Sequence, residues 1–296
     1  MNTIYDAIVI GGSYAGMAAA LQLARARRTV LVIDAAKRRN RFAATSHGFI
    51  TQDGVAPGEI AEQARAQLLK YSTVEWKSAT VTQASGHKDA FDVTTENGEQ
   101  FKAKRLILAG GVVDQLPTLP GLAERWGSSV FHCPYCHGYE LNQEAIGVLA
   151  RSEHSMHQAL MLPDWGSTTF FLNDQFAPNP EQLQALAQRN VTVVSGPIAA
   201  LEGPALTLRM LNGKTFELAG LFTMAQTSID PIASQLQCAL DSGPTGSFVK
   251  TNETKATTVD GVFACGDLAR AAGSVSLAVG DGAMAGAATH RSLMFP

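Results

Sequence analysis

The chain has 296 residues, 46% of them hydrophobic and 17% charged, with a net charge of −3. This is the balance of a folded protein long enough for two domains, each with its own core. It disfavours nucleic acid or an anionic membrane as partner, and four cysteines without regular spacing exclude a disulfide-stapled secreted scaffold.

Residues 1–5 lack a basic segment followed by an apolar core, so no leader is expected. No run of about eighteen apolar residues occurs. The nearest approach, residues 271–289, is broken by Asp281 and is mostly Gly and Ala. A cytoplasmic protein without a membrane partner is the expectation.

In chain order, residues 6–10 (DAIVI) form an apolar run suited to a strand buried on both faces. It enters Gly11, Gly12, Ser13, Tyr14, Ala15 and Gly16, followed by an Ala-rich helical pattern over 17–27. A second apolar run at 30–33 ends in Asp34. Strand, glycine turn, helix, strand and acid together make a dinucleotide-binding βαβ unit. Gly11 lets the chain turn, Gly16 lets helix meet strand, and the helix N-terminus receives a pyrophosphate. Ser13 replaces the middle glycine and is still small. An acid at position 34 suits a free ribose, hence FAD or NAD rather than NADP.

The basic stretch 37–41 reads as a solvated loop able to reach the adenine side, and 46–54 as a polar, Gly-punctuated loop. A helix is expected over 57–71, short strands at 74–76 and 79–81, and a hairpin around Asn97-Gly98. A separate buried strand is expected at 106–111, then a Pro-marked crossover over 112–121.

The chemistry-bearing stretch is His132-Cys133-Pro134-Tyr135-Cys136-His137. C-x-x-C beside βαβ patterns reads as a redox pair. Pro134 suits the first position of a helical turn, leaving Cys133 at its N-terminus, where a dipole and a nearby imidazolium would lower a thiol pKa. Haem attachment normally requires export, and zinc ligands usually come as two spaced pairs, whereas these four candidates crowd into six residues.

A second βαβ follows: strand 145–150, helix 154–162, strand 168–172. Its turn, Arg151-Ser152-Glu153, has no glycine, and its second strand ends in Asn173-Asp174. The scaffold of a nucleotide site is present and the phosphate cradle is not. A helix over 180–189, strands at 191–194 and 221–224, and a hairpin at Asn212-Gly213 complete this part. The last segment has an apolar strand delivering Gly266-Asp267, where a carboxylate can reach a ribityl or ribose hydroxyl, then a small-residue helix over 280–292. Cys238 and Cys265 read as packing residues, His154, His157 and His290 as surface histidines, and Trp126 and Trp165 as packing.

These motifs together resemble the low-molecular-weight thioredoxin reductases, flavoprotein disulfide oxidoreductases, over nearly the whole chain. The segment Cys133 to Glu140 (CPYCHGYE) is more specifically similar to the gliotoxin- and holomycin-type dithiol oxidases. The resemblance implies an α/β fold of two Rossmann-like, three-layer ββα domains, the second inserted in the first. Residues 1–114 and 228–296 would form the FAD-binding domain and 115–227 an NAD(P)-like domain carrying the redox pair. It implies FAD held by Gly11 to Gly16, Asp34 and Asp267, by main chain near Val81 and at Ala109, Gly110 and Gly111, and by Ser274 and Val275. Cys136 would face the flavin, Cys133 would exchange with substrate, and His137 would take the acid/base position that an Asp holds in thioredoxin reductases.

It further implies a homodimer and a thiol partner, either a small-molecule dithiol or disulfide or a thioredoxin-like protein. The missing second glycine turn and arginine pair stand against NAD(P)H as electron partner. A reductase driven by NADPH or reduced ferredoxin is the alternative. A non-enzymatic flavin- or zinc-binding regulatory protein is the reading from another class.

Overall fold

The computed structural model describes residues 3–295. The expectation drawn from residues 1–5 falls partly on Met1 and Asn2, which lie outside the described residues. Strand β1 (Ile4–Ile10), helix α1 (Tyr14–Arg25) and strand β2 (Val30–Asp34) form the expected βαβ unit. Helix α2 (Pro57–Leu68), strand β3 (Val74–Ser78), β4 (Val81–His87), β5 (Ala90–Thr95) and β6 (Gln100–Leu108) follow. The sheet order is β3-β2-β1-β6-β5-β4. β1, β2, β3 and β6 are mutually parallel where they pair, while β4 and β5 form an antiparallel flap on the first half of β6.

Two expectations change here. The hairpin strand and the apolar strand at 106–111 are one continuous β6: Lys102 and Ala103 pair with β1, as do Arg105 to Leu108. Of the strand expected at 79–81 only Val81 is in a strand, as the first residue of the seven-residue β4, and Ala79 and Thr80 precede it.

Alternation divides the sheet's apolar residues between two cores. Ala7, Val9, Val30 and Val32 face α1 and α2, and Ile8, Ile10, Leu31 and Ile33 face the flap side. Both faces are therefore dry, which is why these strands read as unbroken apolar runs. Each Val, Leu and Ile side chain among them stabilises the fold by about 1.5–3 kcal/mol on burial.

β7 (Val113–Gln115) leads out, and β8 (Val130–Phe131) and the single turn α3 (Pro134–His137) carry the redox motif. The second unit continues with β9 (Gln143–Leu149), α4 (Met156–Met161), β10 (Gly166–Phe171), α5 (Pro180–Gln188), β11 (Thr192–Val194), β12 (Ile198–Glu202), β13 (Leu206–Met210), β14 (Thr215–Leu218) and β15 (Gly220–Thr223). Its parallel sheet runs β11-β10-β9-β15-β8. One face packs on α4 and α5, and the other on the antiparallel β12-β13-β14 meander. The helix expected over 154–162 is broken into a short 3-10 turn, the six-residue α4 and a second 3-10 turn containing Pro163.

β16 (Gln226–Ser228) returns antiparallel to β7, followed by α6 (Ile232–Gln235), the β17 (Leu240–Gly243)–β18 (Gly246–Val249) hairpin and β19 (Val262–Ala264). β19 joins the first sheet parallel to β6. The final helix, α7 (Val275–Met294), begins five residues earlier than the sequence pattern suggested, because Ser274 caps it by accepting from Leu277 N–H (3.2 Å). Its small residues have a use. Gly282 and Gly286 lie against the Ala15 and Ala19 carbonyls, so α7 and α1 pack backbone to backbone. The result is two Rossmann-like sheets, each between helices and a β layer.

Candidate functional site

The turn between β1 and α1 is built on glycine. Gly11 has φ +103°, and a Cβ there would strike the Ala109 carbonyl. A Cβ on Gly16 would strike the Gly11 carbonyl, so the start of α1 can sit on the end of β1 only without side chains. No side chain caps the first turn of α1 and none of its residues is acidic. Its amides are left as a ready anion site. Gly12 N–H donates to Asp34 Oδ1 (3.0 Å), which fixes that carboxylate and leaves its other oxygen for a hydroxyl donor.

This turn opens on a cleft whose wall includes Ser13, Tyr14, Ala15, Ala109, Gly110 and Gly111, and runs on to Asp267, Ser274, Val275, Cys133 and Cys136. Most of the sequence-expected residues, His137 among them, are thus brought along one surface from helix end to disulfide, while Gly11, Gly12, Gly16 and Asp34 belong to the turn that opens on it and are not part of its lining. Val81 lies elsewhere: it is buried in the core at the start of β4, leaving only its main chain for a ligand. Asn40 Oδ1 and His132 Nδ1 are buried in residues of the cleft wall with no hydrogen-bond partner among the described residues. An orphaned amide oxygen and an uncapped helix end suit a dinucleotide's hydroxyls and phosphates.

Cys133 and Cys136 form a disulfide with Cα atoms 5.3 Å apart. Cys133 occupies the N-cap of α3, Pro134 its first turn, and Gly138 N–H closes the turn on the Pro134 carbonyl (2.7 Å). With four residues, α3 sums few peptide dipoles, so the dipole assistance expected for a Cys133 thiolate is local rather than that of a long helix. The motif is braced by aromatic rings. His137 stacks on Phe131 (4.5 Å between centroids, 20°), Phe131 leans on Phe222, and Trp165 meets Tyr135 edge-on. A Cβ on Gly138 would run into the Trp165 ring. Burial pushes the His137 imidazole below its ordinary pKa; Glu140 opposes this, and the nearby His47 ring adds to it. His137 is thereby held neutral, as a proton acceptor.

The basic stretch at 37–41 is not merely a solvated loop. Arg39 donates twice to Asp114 (3.0 and 2.6 Å) and once to Asp267 (2.9 Å). The two carboxylates raise its pKa against the cost of burial. This bridge joins the β2 loop, β7 and the Gly266-Asp267 turn. His132 sits beside it, and burial together with the Arg39 charge holds that imidazole neutral. Neither Arg39 nor Asp114 stood out in the sequence, since a partner 75 residues away leaves no local pattern. His47 was also missed. It lines the same cleft, with Nε2 3.4 Å from Glu140 Oε1 and Nδ1 3.6 Å from Asp53 Oδ1. The one available signal was a histidine in a Gly-punctuated polar loop.

The corresponding turn of the second unit satisfies itself. Arg151 N–H donates to Ser155 Oγ (2.9 Å), and His154 N–H to Ser152 Oγ (3.3 Å). At the end of β10, Asn173 Oδ1 accepts from Ile198 N–H (2.8 Å), and Asn173 and Asp174 are both left-handed. Cys265 is fully buried, and burial pushes its thiol up to about 12, which fits packing rather than exchange.

Comparison with known proteins gives the family. The profile described as "Pyridine nucleotide-disulphide oxidoreductase" matches residues 5–152. The thioredoxin reductase sirT of Leptosphaeria maculans is 30% identical over 97% of this chain and 94% of its own. Among solved structures, an oxidoreductase from Agrobacterium tumefaciens is 53% identical, covering 99% of this chain and 100% of that one, with a TM-score of 0.96. HlmI is 31% identical over 99% of this chain and 94% of its own, with a TM-score of 0.92. Members of the family typically bind FAD. Among the described residues no helix is long and apolar enough to cross a membrane. The chain belongs to the pyridine nucleotide-disulphide oxidoreductase family and is a thioredoxin reductase-like flavoprotein oxidoreductase carrying a C-x-x-C disulfide.

Proposed function

We propose that this protein oxidises small-molecule dithiols at the Cys133–Cys136 disulfide. FAD would lie along the cleft from the α1 N-terminus to the redox pair. The pyrophosphate would rest on the first turn of α1, a ribose hydroxyl on Asp34, and the ring end near Asp267, Ser274 and Val275. When bound, the flavin supplies two-electron acceptance from the reduced cysteines and passes the pair to oxygen or another acceptor.

The chain's own residues handle the thiols. A substrate thiolate attacks Cys133 Sγ, and Cys136 leaves as a thiolate. The second substrate thiol then resolves the mixed disulfide, giving a cyclic disulfide and the reduced pair. His137, neutral and stacked on Phe131, accepts a thiol proton. The domain division at 114/115 and 227/228 and a homodimer belong to the same proposal.

One observation carries the direction: the second unit's βα turn uses its own serines to satisfy the amides that a nicotinamide dinucleotide's phosphates would need. A second reading, reduction of a thioredoxin-like protein, is favoured by relatives named thioredoxin reductase. Anaerobic titration of the flavin separates them. Dithiothreitol should bleach it, an equal amount of NADPH should not, and Cys136→Ser should abolish bleaching by the dithiol. Prompt bleaching by NADPH would make the reductase reading the better one, and unchanged bleaching in Cys136→Ser would remove the disulfide from the electron path.

A further inference from the structure

We propose that His47 is a second proton acceptor of the dithiol reaction, serving the closing step while His137 serves the opening one. This inference rests on the dithiol-oxidation reading. His47 comes from the loop between β2 and α2, and His137 from the redox turn of the second unit, yet both line one cleft with Cys133 and Cys136.

The loop is built to hold the ring. Ser46 is buried and pairs across the loop with Val55, its N–H donating to the Val55 carbonyl (2.9 Å). Gly48 N–H fixes Asp53 Oδ1 (2.8 Å), and Ser276 on α7 donates to the Gly48 carbonyl (3.0 Å). The imidazole stands between Asp53 and Glu140, with Thr45 Oγ1 3.1 Å from Nε2. The charged and titratable groups facing it are Asp53 on its own loop, Glu140 beside α3, and His137. On α7 the nearby contact is the uncharged Ser276. The Arg39–Asp114–Asp267 bridge with His132 forms a separate cluster along the same cleft.

The chemistry releases two protons, one at each step. In the opening step His137 takes the proton of one substrate thiol, and that sulfur bonds to Cys133 Sγ. The Cys133–Cys136 bond breaks, and Cys136 departs with the electron pair as a thiolate. In the closing step His47 takes the proton of the second thiol, and that sulfur attacks the first substrate sulfur. The bond to Cys133 breaks, and Cys133 departs as a thiolate. The substrate has then lost two electrons and two protons, which reside on two thiolates and two imidazoliums. One imidazole cannot hold both protons, and two imidazoliums in one cleft repel each other. Glu140 answers this repulsion: it contacts His47 and follows His137 by three residues, and its charge favours protonation of His137.

The bland alternative is that His47 only staples its loop. Quenched-flow alkylation of the anaerobic holoenzyme, read by mass spectrometry, separates the two roles without relying on turnover. The probes are 2-mercaptoethanol, whose single thiol allows opening but no intramolecular closing, and dithiothreitol, which allows both. His47→Gln should accumulate the Cys133–dithiothreitol adduct, with closing slowed about 100-fold near neutral pH, the lower range of general-base effects. Opening by 2-mercaptoethanol should suffer far less, and the closing defect should shrink toward pH 9 as the thiol ionises unaided. His137→Gln should show the reverse, slowing opening by both thiols. Glu140→Gln, which keeps both rings, should slow closing less than His47→Gln does, with a modest effect on opening through His137, and guards against misfolding of the His47 variant. Equal slowing of both steps, or a loss constant across pH, overturns the inference and leaves dithiol oxidation standing. Failure of dithiothreitol to open the wild-type disulfide overturns both.

Discussion

The two βα turns of this chain share an architecture and differ in one respect: where their backbone amides go. Each follows a strand paired in parallel on both sides, β1 in the first unit and β9 in the second, and each opens a helix. At the first turn, glycines at 11 and 16 bring the helix onto the strand and no side chain caps it. At the second, Ser152 and Ser155 take up neighbouring amides, and the helix that follows has six residues. A parallel sheet thus supplies a place for a nucleotide, while unspent donors and a carboxylate of the right position decide whether one is bound. The second unit uses the same edge differently, presenting the Cys133–Cys136 turn from β8.

The sharpest way to break this contrast is a matched pair of substitutions. Gly11→Val places a branched side chain at φ +103° against the Ala109 carbonyl. Strain and overpacking there should cost of order 2–5 kcal/mol. The purified variant should be nearly free of flavin, measured by absorbance after denaturation, and should melt well below the parent. Ser152→Val alters the equivalent turn of the second unit and should leave flavin content at the parent's level. Equal flavin loss in both would mean that the second turn matters to the cofactor as much as the first.

A gain of function tests the second turn directly. Ser155→Ala releases the Arg151 amide, and Asp174→Asn removes a carboxylate at a left-handed position that Asn tolerates. A freed donor to a phosphate is worth about 1.5 kcal/mol or slightly more, so NADPH should reduce the flavin of the double variant about tenfold faster at subsaturating concentration. No change would mean that amide availability is not what limits the second site.

The elements of the first unit were legible because both faces of its strands are apolar and its turn is punctuated by glycine. The Cys133–Cys136 turn was legible because spacing, Pro134 and flanking histidines all fall within one short segment. What escaped is non-local. β6 looked like two strands because its first half pairs with the polar flap while its second half is dry on both faces, so the pattern changes midway through one strand. The start of α7 was hidden by Gly273 and Ser274, which read as loop and prove to be a cap. Arg39 looked like one of several loop cations, and only the fold brings Asp114 and Asp267 to it. His47 meets Glu140 across the two units, and no spacing in the sequence encodes that approach.

The smallest effect expected concerns the histidines flanking the redox pair. Burial holds both His132 and His137 below the ordinary imidazole value of 6.5. In the unfolded chain these imidazoles bind protons near that value, while in the folded protein they resist until the pH is lower. The unfolded state therefore binds more protons over this window, and stability falls as pH drops from about 6.5. Below both folded values the two states carry equal charge on these groups and the slope vanishes. Asp6 and Asp53, held low by their partners, add a loss of the same sign, but only in the carboxylate range. Urea midpoints of the oxidised protein should accordingly decline between pH 7 and pH 5. The His132→Gln/His137→Gln double variant should be flatter over that interval and unchanged in slope below it. An unaltered decline between pH 7 and pH 5 would mean that the imidazoles beside the disulfide are as free to protonate as those in water. The neutral base assigned to the second unit's redox turn would then lose its physical footing.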